Sequence, residues 1–196
     1  MNSLIKIIRR NLLLFSWLPV MIIVMITVSG AACSKESSNE TDSTGFILTS
    51  PEILSDSLLP KEYTCDGESA TLPLRWSGAP EGTKYFALIM HHEASATDIH
   101  WYWVLYNIPL SVQSLEKNIS GIGTLGNNSV NGNTAYAPPC SQGPGAKLYT
   151  YTLYALSQPV TVTVPASEVS REVLLEAIKN TTLSTTTLTV VYSREL

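Results

Sequence analysis

The stretch LYTYTLYAL, residues 148–156, changes face at every position, and TTTLTVVY, residues 185–192, is dominated by β-branched residues. Successive side chains of a strand point to opposite faces, so a period of two marks a strand with a face in a core. KYFALIM (84–90) and WYWVLYNI (101–108) are compact runs of strand formers, and residues 160–164 alternate again. Loops rich in Gly, Pro, Asn and Ser separate these runs. The longest covers residues 120–146 and holds Gly121, Gly123, Gly126, Gly132, Gly143 and Gly145. A segment that long without regular structure is usually functional in a compact domain. One helix stands out. Residues 167–180 offer Ser167 or Ser170 as a cap, then Val173, Leu174, Ala177 and Ile178 at helical spacing. Strands throughout with one late helix predict a β-sandwich or a similar mainly β domain.

The N-terminal part reads as an address. Lys6, Arg9 and Arg10 precede an almost unbroken apolar run over residues 12–30, followed by Ala31-Ala32-Cys33. A basic head, an apolar run and small residues describe an export signal. We expect residues 1–32 to be a lipoprotein-type signal, with Cys33 lipidated. Gly30 stands three before the cysteine, where leucine is usual, and the run approaches the length of a membrane span. An uncleaved anchor is therefore the alternative. Either way the rest of the chain is placed outside the cytoplasm, in the cell envelope and tethered to a membrane. Residues 33–45 form a polar tether (SKESSNETDST at 34–44), and residues 46–196 form one domain large enough for a real core. Without Lys6, Arg9 and Arg10, nine basic residues of the 12 face 16 acidic ones, a net charge of −7. No basic stripe exists, so no nucleic-acid partner is expected.

All three histidines, His91, His92 and His100, fall in LIMHHEASATDIHWYWVLYNIP, residues 88–109. In an extended segment His100, Tyr102, Val104 and Tyr106 share one face, and Trp101, Trp103 and Leu105 the other, as core. The plainest reading leaves His91 and His92 in an exposed loop after KYFALIM. A metal reading takes His91, His92, Glu93 and His100 as ligands for zinc or copper, at a spacing that fits no common signature. Nucleophilic catalysis has less behind it, since no G-x-S-x-G elbow is present. A third reading is an anion pocket, in which imidazole, tyrosine, Gly-rich amides and Lys147 hold a carboxylate or phosphate. No cofactor is expected. Cys65 and Cys140 remain after the signal, and an oxidising compartment favours a bridge between them over two free thiols.

Several blocks occur in order: Y-T-C-D-G, L-x-W-S-G-x-P-x-G-T, W-V-x-Y-N-I-P, P-C, G-P and T-L-Y-A-L. In this order the chain resembles the phosphatidylethanolamine-binding protein family, in its bacterial Raf-kinase-inhibitor-like branch, over about residues 47–192. The resemblance implies a β-sandwich of two antiparallel sheets with a C-terminal helix. It also implies a small end pocket for phosphate-like or acetate-like anions, and no catalysis. Members act as binding or inhibitory modules. Carried over residue by residue, the family's D-P-D-A-P segment is replaced by His92, Glu93, Ala94, Ser95 and Ala96. Tyr102 aligns with one pocket histidine, with His100 two residues earlier, and Lys147 aligns with the other. Tyr136, Pro138 and Pro139 match the tyrosine–proline loop, and Cys65-Asp66-Gly67 is intact.

The expected ligand-binding set is therefore His92, His100, Tyr102, Tyr136, Pro138, Lys147 and Asp66, more cationic than the family's own. The expected partner is a small anion or phospholipid head group. An inhibitor or interaction module that docks an envelope protein at the pocket rim is the alternative. A metal-dependent enzyme on the histidines is the third.

Overall fold

A computed structural model of the chain describes residues 45–141 and 145–194. The expected signal, Cys33 and the expected tether up to residue 44 lie outside the described residues. Among the described residues no helix is long and apolar enough to cross a membrane.

Among the described residues nine strands and one α-helix follow in order. They are β1 (Ile47–Thr49), β2 (Ser57–Leu58), β3 (Leu74–Ser77), β4 (Tyr85–Ser95), β5 (Asp98–Pro109), β6 (Ser114–Leu115), β7 (Thr124–Leu125), β8 (Lys147–Leu156), α1 (Arg171–Ile178) and β9 (Thr182–Tyr192). One sheet has the order β1-β3-β6, the other β2-β9-β8-β4-β5-β7. All pairings are antiparallel except the two-residue β2–β9 contact, which is parallel.

The centre of the larger sheet, β4 and β5, is covered on both faces. Leu48, Leu74, Trp76 and Leu115 of the small sheet pack with Phe86, Leu88, Met90, Trp103, Tyr151 and Leu188 of the large one. On its other face Ala87, Ile89, Val104 and Tyr106 pack with Val160, Val169, Leu174 and Ile178. A strand buried on both faces has no solvated side to carry polar residues. That is why KYFALIM and WYWVLYNI read as nearly continuous apolar runs, while β9, with one face open, alternates threonine with Leu188 and Val190.

The helix is shorter than its sequence pattern. Ser170 caps it, accepting a hydrogen bond from Val173 N–H at 3.3 Å, whereas Ser167 lies in a preceding 3-10 turn, Ala166–Glu168. Residues 160–164 are not a strand. Their alternation is real, since Val162 and Val164 pack on the second core, but no neighbouring strand completes a ladder there.

Candidate functional site

β4 and β5 form a hairpin that turns at Ala96-Thr97 and carries all three histidines. His91 and His92 are thus strand residues and not a loop. His92 pairs with His100, and His91 with Trp101. Adjacent strand residues face opposite ways, so His91 parts from the other two. It lines a depression with Glu93, Thr150, Thr152 and Thr187, while His92 and His100 line another cleft. Three convergent imidazoles, as the metal reading requires, do not form. Among the described residues no group of three or more potential metal-ligating His, Cys, Asp or Glu side chains is present.

The ladder holds a bulge next to the histidines. Met90 pairs with Trp103 and His91 with Trp101, so Tyr102 is an extra residue on β5. The slip corrects the expected face assignment. Tyr102 joins Trp103 and Leu105 in the core between the sheets, and Trp101 goes with Val104 and Tyr106 to the other side. A strict period of two cannot reveal a bulge.

The cleft on the His92 side has a volume of about 600 Å³. Of the seven residues expected to bind ligand, five line it: His92, His100, Tyr102, Pro138 and Lys147. Asp66 and Tyr136 do not. Asp66 accepts hydrogen bonds from Tyr192 Oη and pairs with Arg194 Nη2 at 2.8 Å, in a neighbouring depression shared with Lys61. Tyr136 turns its hydroxyl inward to donate to the Tyr63 carbonyl at 3.2 Å, with its ring edge-on to Trp103. Both residues hold the frame around the cleft. Ala94, Asp98, Ser129, Val130 and Cys140 complete the lining and were not in the expected binding set.

Geometry fixes what several groups can do. His92 Nδ1 lies 2.8 Å from the Leu148 carbonyl oxygen. A carbonyl only accepts, so Nδ1 carries the hydrogen and Nε2 is left to face a ligand, as an acceptor when neutral and a donor when charged. His100 Nε2 lies 3.2 Å from Asp98 Oδ1, which orients that ring and adds one carboxylate to a cleft otherwise lined by cationic and neutral groups. Burial raises the pKa of the Tyr102 phenol, with a smaller opposing effect from the Tyr149 hydroxyl, so Tyr102 stays a donor. Among the described residues Lys147 makes no ion pair. Both hydrogen-bonding roles of the Ser129 hydroxyl go to the Trp101 backbone: it donates to the carbonyl at 3.1 Å and accepts the N–H at 2.9 Å.

The long Gly-rich loop forms one wall. It is stitched to β5 by Gly126 N–H to Val104 O, Ser129 N–H to Trp101 O and Ala137 N–H to Tyr102 O, at 2.8–2.9 Å. Buried Asn128 organises it, donating to the carbonyls of Asn133 and Ala135 and accepting from the amides of Val130 and Asn131. A Cβ on Gly126 would stand 2.4 Å from the Val169 carbonyl oxygen and 2.7 Å from Val104, so only glycine allows this approach. Cys65 and Cys140 form a disulfide with Cα atoms 5.2 Å apart, which fixes the later part of the same loop, with Pro138 and Cys140 in the lining.

Comparison with known proteins places this arrangement. The two-sheet domain and its end cleft define a phosphatidylethanolamine-binding-type fold. The phosphatidylethanolamine-binding protein family model matches residues 49–193, and the chain belongs to this family. A relative from Methanothermobacter thermautotrophicus, described as a UPF0098 protein, is 35% identical over 141 residues, covering 69% of this chain and 91% of the relative. The crystal structure of a phosphatidylethanolamine-binding protein homologue of Chlamydia trachomatis superimposes with a TM-score of 0.71 at 26% identity, covering 78% of this chain and all (100%) of that one. Escherichia coli YbcL, described as a member of the mammalian family, gives a TM-score of 0.68 at 24% identity, covering 76% of this chain and 99% of its own.

Proposed function

We propose that the domain is a membrane-tethered extracytoplasmic binding protein, non-catalytic, whose cleft holds a small anion or a phospholipid head group. The observation that carries the reading is the convergence of His92, His100, Tyr102 and Lys147 on one cleft, with Nε2 of His92 freed by the bond from Nδ1 to Leu148. Charge-assisted donors of this kind are the strong ones for carboxylate and phosphate oxygens. The family is generally not catalytic. Extracytoplasmic placement rests on the signal-like N-terminus ending in Ala31-Ala32-Cys33.

Calorimetric titration of the purified chain with inorganic phosphate, acetate and glycerophosphoethanolamine tests the reading. Binding of at least one, weakened by Lys147→Ala, is expected; no binding of any contradicts it. Val130, 51% exposed at the cleft lining, favours a second reading in which the rim docks an envelope protein.

A further inference from the structure

Cys140 belongs to two arrangements at once. Its sulfur is bonded to Cys65, and the residue lines the cleft with His92, His100, Tyr102 and Lys147. The Cys65 side is a fixed anchor. Thr64 Oγ1 donates to the Lys61 carbonyl at 2.8 Å and accepts Asp66 N–H at 3.2 Å. A Cβ on Gly67 would stand 2.1 Å from that same carbonyl oxygen, so this turn is packed backbone on backbone. The Cys140 side is the cleft wall that begins at Pro138. Besides the disulfide, the backbone tie between anchor and wall is Cys65 N–H to Pro139 O at 3.0 Å.

Arg194 sits against the bond. Its Nη1 is 3.7 Å from Cys140 Sγ, while Nη2 is held by Asp66 Oδ1 at 2.8 Å. A guanidinium beside sulfur favours the thiolate, and the better-stabilised thiolate is the better leaving group in disulfide exchange.

We propose that the Cys65–Cys140 bond is an exchangeable redox control on the cleft, opened by a dithiol reductant with Cys140 as the departing sulfur. The proposal rests on the anion-binding reading above. One thiolate of the reductant attacks Cys65 Sγ, the S–S bond breaks, and its electron pair leaves on Cys140 beside Arg194. The second thiol of the reductant then displaces Cys65. The reductant ends as a disulfide, both protein cysteines are reduced, and the two thiol protons of the reductant pass to them or to solvent. Two consequences follow for the cleft. Among the described residues the wall then keeps the Cys65 N–H to Pro139 O bond as its one backbone–backbone tie to the anchor. A thiolate also stands among the groups that would bind the anion and repels it.

The test is phosphate titration of the oxidised protein and of the same protein after dithiothreitol, with thiols counted by iodoacetamide labelling and mass spectrometry. Circular dichroism follows the fold at the same temperature. The expected result is at least tenfold weaker phosphate binding in a reduced protein that keeps its β-sheet signal. Equal affinity in the two forms, with both thiols labelled, overturns the control alone. Loss of the β-sheet signal on reduction also overturns it, because the bond is then only a staple. No phosphate binding by either form overturns the control, and the anion reading with it if acetate and glycerophosphoethanolamine also fail to bind. Arg194→Gln should slow reduction by dithiothreitol at least fivefold while the oxidised variant binds phosphate as the wild type does. An unchanged rate rejects Cys140 as the departing sulfur.

Discussion

His92 on β4 and His100 on β5 are direct partners across the antiparallel ladder, while His91, one residue earlier, pairs with Trp101 and turns to the opposite face of the sheet. The histidine cluster is therefore two devices. Two imidazoles face the cleft beside Lys147. The third is packed against the sheet with Nδ1 buried and unpartnered and Nε2 at 3.3 Å from Glu93. Acid should act on the two devices in opposite directions.

For His91 the sign follows from its surroundings. Burial pushes its pKa down, Arg171 adds to this, Glu93 opposes it and His92 lowers it slightly. The unfolded chain then binds this proton more readily than the folded one, so stability rises with pH. The contribution is fully present above the ordinary histidine value near pH 6.5 and is lost as pH falls below it. His91→Gln should therefore lose less melting temperature than the wild type between about pH 7.5 and pH 5. Parallel melting curves for the two proteins over that interval would reject this role.

Tyr102 and Tyr136 should separate cleanly. Tyr102→Phe removes a hydroxyl from the cleft and should weaken phosphate binding severalfold with little loss of stability. Tyr136→Phe removes the bond to the Tyr63 carbonyl, costing about 1 kcal/mol of stability, and should leave affinity unchanged. Denaturant unfolding and calorimetry on both variants check the pair, and the reverse pattern would restore Tyr136 to the binding set.

Cys33 should carry lipid in the mature protein. Cys33→Ala should abolish labelling of the chain by a fatty-acid analogue in cells. Labelling equal to wild type would leave the uncleaved anchor as the account of membrane attachment.

What the sequence revealed was what local period and motif order can encode. The strands at 84–90, 101–108, 148–156 and 185–192 were legible because their apolar residues must meet a core. His92, Tyr102 and Lys147 were legible because they align with polar pocket groups of the family, and His100 because it lies two residues before Tyr102 on the same strand. The bulge at Tyr102 was not, because an inserted residue leaves the run WYWVLYNI looking regular. Asp98 was missed because it enters the cleft only once the hairpin folds back on itself. Ser129 and Val130 were missed because their position depends on loop hydrogen bonds to β5 that span 22–35 residues of chain. Asp66 and Tyr136 were carried over as ligand groups by motif. Motif order cannot show that Arg194, Tyr192 and the Tyr63 carbonyl take up their polar atoms.

The central claim is that His92, His100 and Lys147 together make an anion cleft, and the pH dependence of phosphate affinity tests it most directly. A protonated imidazole donates from both ring nitrogens and carries charge, whereas the neutral ring donates from one, so wild-type affinity should rise as pH falls from about 8 to 6. A charge-assisted hydrogen bond contributes roughly 1.5–3 kcal/mol, so loss of one partner should weaken binding about tenfold or more. Calorimetry at the two pH values should show Lys147→Ala weaker at both, and His92→Ala with a flattened pH response. Phosphate binding that is indifferent to both substitutions and to pH would contradict the account.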